Sequence, residues 1–191
     1  MDHLSNIKSR VQLVYVGQIT RQKGVPELID AVLKCNSELL GCWILGSSEH
    51  SQELENELSQ QVLHSKSAST IDFMGYKSDP RPFLKAANYL IAPSQYPEPL
   101  GNVVQEAKAQ GTPSIVTPNG GLPETITHEK TGLILNGSSK EDLHEALENI
   151  LRGKHRFDER NIIQESEEAF SGHTFTQKWE GTVLSVLNTR T

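Results

Sequence analysis

The chain has 191 residues, of which 36% are hydrophobic and 22% charged, and a formal net charge of −6. That length suits one large domain whose core needs no disulfide or metal. The acidic balance argues against nucleic acid or an anionic membrane as a broad partner, while leaving room for a local basic pocket.

Strand-like and helix-like segments alternate along the sequence. Val11 to Val16 is a β-rich run that ends at Gly17. Leu28, Ala31, Val32 and Cys35 then fall at helical spacing, with Pro26 in a tolerated first-turn position. Leu39 to Leu45, closed by Gly46, reads as a second strand. Glu49 to His64 reads as an amphipathic helix through Leu54, Leu58 and Val62. Thr70 to Met74, before Gly75, is a third strand, 80–87 a short helix, and Tyr89 to Ala92, before Pro93, a fourth strand. A helix over Asn102 to Gln110 stops at Gly111. Ser114 to Thr117 and Thr131 to Leu135 supply two more strands around the Gly120-Gly121 turn, and Leu143, Ala146, Leu147, Ile150 and Leu151 mark a closing helix. Lys154 to Glu168 is highly charged, and Phe175, Trp179, Val183, Val186 and Leu187 again fall at helical spacing.

Continuous apolar strands alternating with helices predict an α/β fold: a Rossmann-like, doubly wound parallel sheet covered on both faces. The expected layout is a lead-in over 1–10, the sheet domain over 11–153, and appended helices over 154–191. Ligands of such sheets sit at the carboxyl ends of the strands, which is where Gly17, Gly46, Gly75 and Pro93 fall. Cys35 and Cys42 read as small core residues in a reduced, cytoplasmic setting. No apolar stretch approaches the roughly 20 residues of a membrane span, and Met1 to Ser5 has neither the basic nor the apolar region of a secretory signal.

The most informative segment is Glu98 to Glu106, in which two carboxylates stand eight positions apart. Gly101 just before the helix frees backbone N–H groups at its N-terminus, a ready anion site. Glu106, deeper in the helix, is placed to accept hydrogen bonds from a diol. Singly, both acids read as surface carboxylates; the order of strand, proline-rich loop, acid, glycine, helix and second acid is what raises them. Arg21 and Lys23, on the loop from Gly17 to Gly24, suit a diphosphate, although solvated loop charges are the commoner case. Gly120 to Glu124 reads equally as a tight turn or as the far wall of the same pocket. The sequence has no G-x-G-x-x-G after the first strand, no G-x-x-x-x-G-K-[ST], H-E-x-x-H or G-x-S-x-G, and no two aspartates two positions apart. These absences disfavour a dinucleotide oxidoreductase, several hydrolase classes and the simplest carboxylate site for a metal-bound nucleotide.

In register, these pieces resemble the C-terminal domain of glycosyltransferase family 4, a group with the GT-B fold. The match runs from Val11 to about Leu151. It comprises Val16-Gly17 with Lys23-Gly24, Phe73-Met74-Gly75, Pro93-Ser94, Glu98 with Glu106-Ala107, Gly111-Thr112-Pro113, Gly120-Gly121 with Pro123-Glu124, and Thr131-Gly132. The resemblance implies the donor-binding half of a retaining glycosyltransferase that uses a UDP- or GDP-type nucleotide sugar, with no metal or other cofactor. It implies that Glu106 binds the ribose hydroxyls and that Glu98, the catalytic assignment, contacts the donor sugar. Backbone N–H groups around Leu100, Gly101, Asn102 and Val103 would hold the distal phosphate, and Lys23 would be the main diphosphate cation. Gly75 and Tyr76 would flank the base, and Gly17 and Gln18 would line the first loop.

At Gln18 the family usually has arginine, so either Arg21 supplies that cation, the favoured reading, or diphosphate binding is weaker here. The resemblance also implies an N-terminal acceptor-binding domain that this chain lacks, a terminal helix from Thr174 onward, and poor turnover by the chain alone. It allows a full-length enzyme that is peripheral to a membrane. Two other readings stay open: a non-catalytic sugar-nucleotide-binding module, favoured by Gln18, and a phosphorylase-like member of the same superfamily.

Overall fold

The computed structural model describes residues 10–48 and 52–170, and in the tail residues 176, 179, 180, 182–185 and 187. Six strands, β1 (Val11–Val16), β2 (Leu40–Leu45), β3 (Thr70–Gly75), β4 (Tyr89–Ala92), β5 (Ser114–Val116) and β6 (Gly132–Ile134), form one sheet in the order β3-β2-β1-β4-β5-β6. Every pairing is parallel. The helices are α1 (Val25–Cys35), α2 (Gln52–His64), α3 (Arg81–Ala86), α4 (Asn102–Ala109), α5 (Lys140–Leu151) and α6 (Glu159–Phe170). A short 3-10 turn over Leu122–Thr125 lies between β5 and β6.

The doubly wound character follows from strand alternation. In β1, Leu13 and Tyr15 point into a core shared with α1, α2 and α5, where Leu28, Val32, Leu54, Leu143 and Leu147 pack. Val14, between them, points into the opposite core with Leu84, Val104 and Ala107 of α3 and α4. Because β1 is central and buried on both faces, its sequence is continuously apolar apart from Gln12.

Helix limits follow local chemistry. Gly24 opens α1 in the left-handed region (φ 72°), Pro26 occupies the first turn, and Asn36 closes the helix at φ 46°. Ser139 and Asp142 form a reciprocal capping box at the start of α5. The helix expected over 49–64 is described from Gln52 onward, and the three residues before it lie outside the described set.

The charged segment after α5 ends in α6, which packs on α4 through a feature the sequence did not announce. Lys108 of α4 is buried, with its side chain 3% exposed, and its ammonium donates to Glu165 (2.8 Å) and to the Thr125 carbonyl (2.9 Å). Thr131 also donates to Glu165, at 3.0 Å. Burial alone would raise the pKa of Glu165, but hydrogen bonds from Lys108, Thr127 and Thr131 and the lysine charge hold it below the usual carboxylate value. This group therefore stabilises the fold fully above the unfolded pKa of about 4.3, and the contribution drains away as pH falls through the lower folded value. Glu165→Ala is expected to cost about 2 kcal/mol at neutral pH, because Lys108 keeps its carbonyl partner. It should also flatten the acid limb of a stability-against-pH curve measured by denaturant unfolding. An unchanged acid limb would contradict this assignment. Of the tail residues singled out by spacing, Trp179, Val183 and Leu187 are exposed, while Thr174, Phe175 and Val186 fall outside the described residues.

Candidate functional site

The carboxyl edge of the sheet carries two adjoining cavities. The first, of about 340 Å³, opens between the loop after β1 and the loop after β4. Those loops are fastened to each other: the Gln95 amide donates to the Gln22 carbonyl (2.8 Å), and Gly24 approaches Pro93 so closely that a Cβ would lie 1.9 Å from its oxygen. From behind, Thr117 and Asn119 both donate to the Ser94 carbonyl, at 2.8 and 2.6 Å. The loop that carries Glu98 is thus fixed by backbone contacts on both sides.

Glu98 stands in the floor of this cavity, its side chain 11% exposed, ion-paired with Lys23, which is 28% exposed. Ser94 donates to the same carboxylate oxygen at 2.7 Å, and the Tyr96 hydroxyl donates to the other at 3.3 Å. The Lys23 ammonium also lies 5.3 Å from the centroid of the Tyr96 ring. Burial by itself would raise the Glu98 pKa; the bonds from Lys23 and Ser94, the lysine charge and the Tyr96 hydroxyl outweigh it and hold the acid ionised below its ordinary value. Burial would likewise depress Lys23, but the bonds and charge of Glu98 and Tyr96 raise it. Tyr15 donates to the Gln18 carbonyl at 2.6 Å, and burial, then the Glu98 charge, push its phenol far up, so it remains a neutral donor.

Gly101 caps α4 at φ 70° without a side-chain cap. The first amides of the helix have no intrahelical acceptor and carry the positive end of its dipole. Leu100, Gly101, Asn102 and Val103 line the first cavity beside Lys23 and Glu98. One wall is therefore cationic and donor-rich, one carboxylate is held ionised, and Leu100, Val103 and Leu122 supply an apolar rim. The second cavity, of about 290 Å³, is lined by Gly17, Gln18, Gly46, Ser47, Tyr76 and Lys77, among others. Tyr76 is well exposed there, and the Lys77 ammonium lies 5.9 Å from the Phe83 ring centroid. Gly75 ends β3 at φ 67° and accepts the Gly46 amide at 3.0 Å.

Besides Gly75, two expected members are absent from these linings. Glu106 is exposed on α4, four residues beyond Asn102 and so on the same helix face. Arg21 does not turn toward the first loop glycine; it pairs with Glu57 of α2 at 3.1 Å, both side chains well exposed. Among the residues lining the second cavity with Gln18, the cation is Lys77. Nor does Glu124 line the far wall: it is exposed, and the Gly120-Gly121 pair serves the Glu98 loop directly. Gly120 forms a parallel bridge with Glu98, and Gly121 donates to the Glu98 carbonyl at 2.7 Å.

Tyr15, Ser94, Tyr96 and Lys77 were not singled out from sequence as site residues. The available signal was position alone, since each sits at or just beyond a strand's carboxyl end. Both cysteines are free; burial raises each thiol, that of Cys35 to about 12 with the Glu148 charge as a second cause. Among the described residues no helix is long and apolar enough to cross a membrane.

A parallel sheet in this order, with a lysine, a half-buried acid and a helix N-terminus at its carboxyl edge, defines a Rossmann-like domain of the GT-B type. The family model of Glycosyl transferases group 1 matches residues 3–169, and the chain belongs to that family. It is 31% identical over 136 residues to the lipopolysaccharide core biosynthesis glycosyltransferase LpsE of Rhizobium meliloti, a match covering 71% of this chain and 38% of that protein. It is 34% identical over 132 residues to the alpha-maltose-1-phosphate synthase of Mycolicibacterium smegmatis, covering 67% of this chain and 34% of that one. The chain thus spans little more than a third of these relatives. Among solved structures, Anabaena HepE in complex with UDP and glucose shares the fold (TM-score 0.80, 22% identity), covering 93% of this chain and 49% of HepE.

Proposed function

We propose that this chain is the donor-binding half of a retaining, metal-independent glycosyltransferase. A nucleotide-diphosphate sugar would lie along the two cavities, its diphosphate against Lys23 and the N-terminus of α4. The observation that carries this reading is that Lys23, an ionised Glu98 and the unpaired start of α4 line one cavity. HepE, of the same fold, is solved with UDP and with UDP-glucose. As the glycosidic bond breaks, the leaving nucleotide diphosphate gains charge, which an ammonium and oriented amides stabilise without needing to reorganise. Glu98 would face the donor sugar and hold it in position, and Glu106 would accept the ribose hydroxyls. The base would lie near Gly75 and Tyr76. Acceptor recognition belongs to a further domain in this proposal, in keeping with the length of the relatives. Transfer by this chain alone would be slow, because donor and acceptor must be aligned at close range. A cytoplasmic setting is part of the proposal, supported by the two free thiols.

The division of labour between the two acids gives the test. Glu106→Ala should weaken UDP and UDP-glucose alike, by about tenfold, the lower end for hydrogen bonds to a charged group. Glu98→Ala should spare or tighten UDP, because it releases Lys23, and weaken only the sugar-bearing ligand. Calorimetric titration of both variants with both ligands reads this out, and equal losses for the two substitutions would contradict it. One observation favours a non-catalytic binding module: with Arg21 held by Glu57, the cation count beside Gln18 rests on Lys77. Sugar transfer by the full-length protein from a bound donor would decide against that alternative.

A further inference from the structure

Away from the donor edge, α1 and α5 pack face to face, and their contact places a third kind of chemistry on one spot. Cys35 is the last residue of α1, while His144 and Glu148 stand four apart on α5 and therefore share a helix face. One ligand atom from each, the Cys35 sulfur, a His144 ring nitrogen and a Glu148 carboxylate oxygen, all lie within 4.8 Å of one another, and all three residues are half-buried.

We propose that Cys35, His144 and Glu148 form a binding site for a borderline-soft divalent metal ion, zinc above all. Zinc takes sulfur at about 2.3 Å, imidazole nitrogen at about 2.0–2.1 Å and carboxylate oxygen at about 2.0–2.2 Å, which puts tetrahedral ligand atoms roughly 3.3–3.7 Å apart. Side-chain rotation would bring atoms already within 4.8 Å of one another to that spacing. The donor set selects the ion: thiolate with imidazole disfavours magnesium and calcium, which want oxygen alone. Among the described residues the bond recorded to Glu148 runs from Arg152 to Oε2, at 2.9 Å, so its other oxygen can turn to a metal. On binding, the metal replaces the Cys35 thiol proton, which leaves to solvent, and no oxidation state changes. Thiolate and carboxylate together then balance the double positive charge, and a water completes the fourth position.

The site stands apart from the transfer chemistry. Lys23 stands just before α1 and Cys35 closes its far end, about 16 Å away along the 11-residue helix. A metal here ties α1 to α5 and steadies the helix that follows Lys23.

The test uses the whole chain after chelator treatment, titrated with Co²⁺ as a spectroscopic stand-in for zinc. The expected result is a thiolate-to-cobalt charge-transfer band that saturates at one equivalent and disappears on adding Zn²⁺. Cys35→Ser should abolish the band, and His144→Ala and Glu148→Gln should each weaken binding by about 10-fold or more. Zn²⁺ should raise the Tm of the wild type and leave that of Cys35→Ser unmoved. Cys42, fully buried in β2, is not a competing thiol. Absence of the band, or its persistence in Cys35→Ser, would overturn the proposal. Circular dichroism of each variant shows that a loss is not a loss of fold.

Discussion

Lys23→Ala is expected to weaken UDP binding about 100-fold. The ammonium sits in the wall of the cavity that also presents the α4 N-terminus, and its side chain is 28% exposed. A charge-assisted bond in such a site contributes up to about 3 kcal/mol, which corresponds to about two orders of magnitude in affinity. The substitution has a second consequence. Glu98 keeps Ser94 and Tyr96 as donors but loses its only cation among the described residues, so the acid drifts back toward its ordinary pKa. Lys23→Arg should recover part of the affinity, since it restores charge while altering the fit to Glu98 and the Tyr96 ring. In the free protein the ammonium is engaged by Glu98, so a diphosphate must draw it away or share it. The Lys23→Ala and Glu98→Ala changes should therefore be non-additive in UDP affinity, as expected for residues in direct contact. Additive effects would show that the pair does not act on the nucleotide as a unit.

Gly24→Ala is expected to have a large effect on folding. Gly24 has φ 72°, and a Cβ there would lie 1.9 Å from the Pro93 carbonyl oxygen. A left-handed alanine costs roughly 1–2 kcal/mol, and relieving the overlap by shifting backbone adds about 1–3 kcal/mol. The combined loss is on the order of 3 kcal/mol, a Tm drop on the order of 10 °C for a chain of this size. The shift would also part the loop after β1 from the loop after β4, moving Lys23 relative to Glu98. Gly153→Ala is the matched control: its φ of 73° is the same, but nothing lies within 4 Å of the added Cβ. It should show the backbone cost alone. Similar losses for the two variants, read from thermal unfolding, would mean that the contact with Pro93 is unimportant.

The difference between those glycines also explains what the sequence could and could not reveal. Strands such as Val11–Val16, apolar apart from Gln12, and Tyr89–Ala92 were legible because burial on both faces demands a largely apolar run. The segment from Glu98 to Glu106 was legible because Pro99 and Gly101 mark a loop and a helix start from local sequence. Glu98 and Lys23 meet although 75 positions separate them, and sequence order placed both at strand ends without giving their contact. Arg21 pairs with Glu57 because a long exposed side chain follows the nearest carboxylate, and local pattern does not show α2 as that neighbour. Lys108 was missed for the opposite reason: a lysine on an amphipathic helix normally faces water. The arrival of α6, with Glu165, and the Thr125 carbonyl help to make its burial tolerable. Tyr96 sits in a loop with no periodicity, so its contact with both Lys23 and Glu98 depends on a fold that local pattern does not encode.

Thermal shift of the 191-residue chain with UDP, GDP and ADP, alone and as nucleotide sugars, tests the central claim most directly. A donor-binding domain should gain about 2.7 kcal/mol from one of these ligands at 100 times its Kd. That gain should collapse in Lys23→Ala at the same ligand concentration. No stabilisation of the wild type by any of the three diphosphates or their sugars, at millimolar concentration, would contradict it.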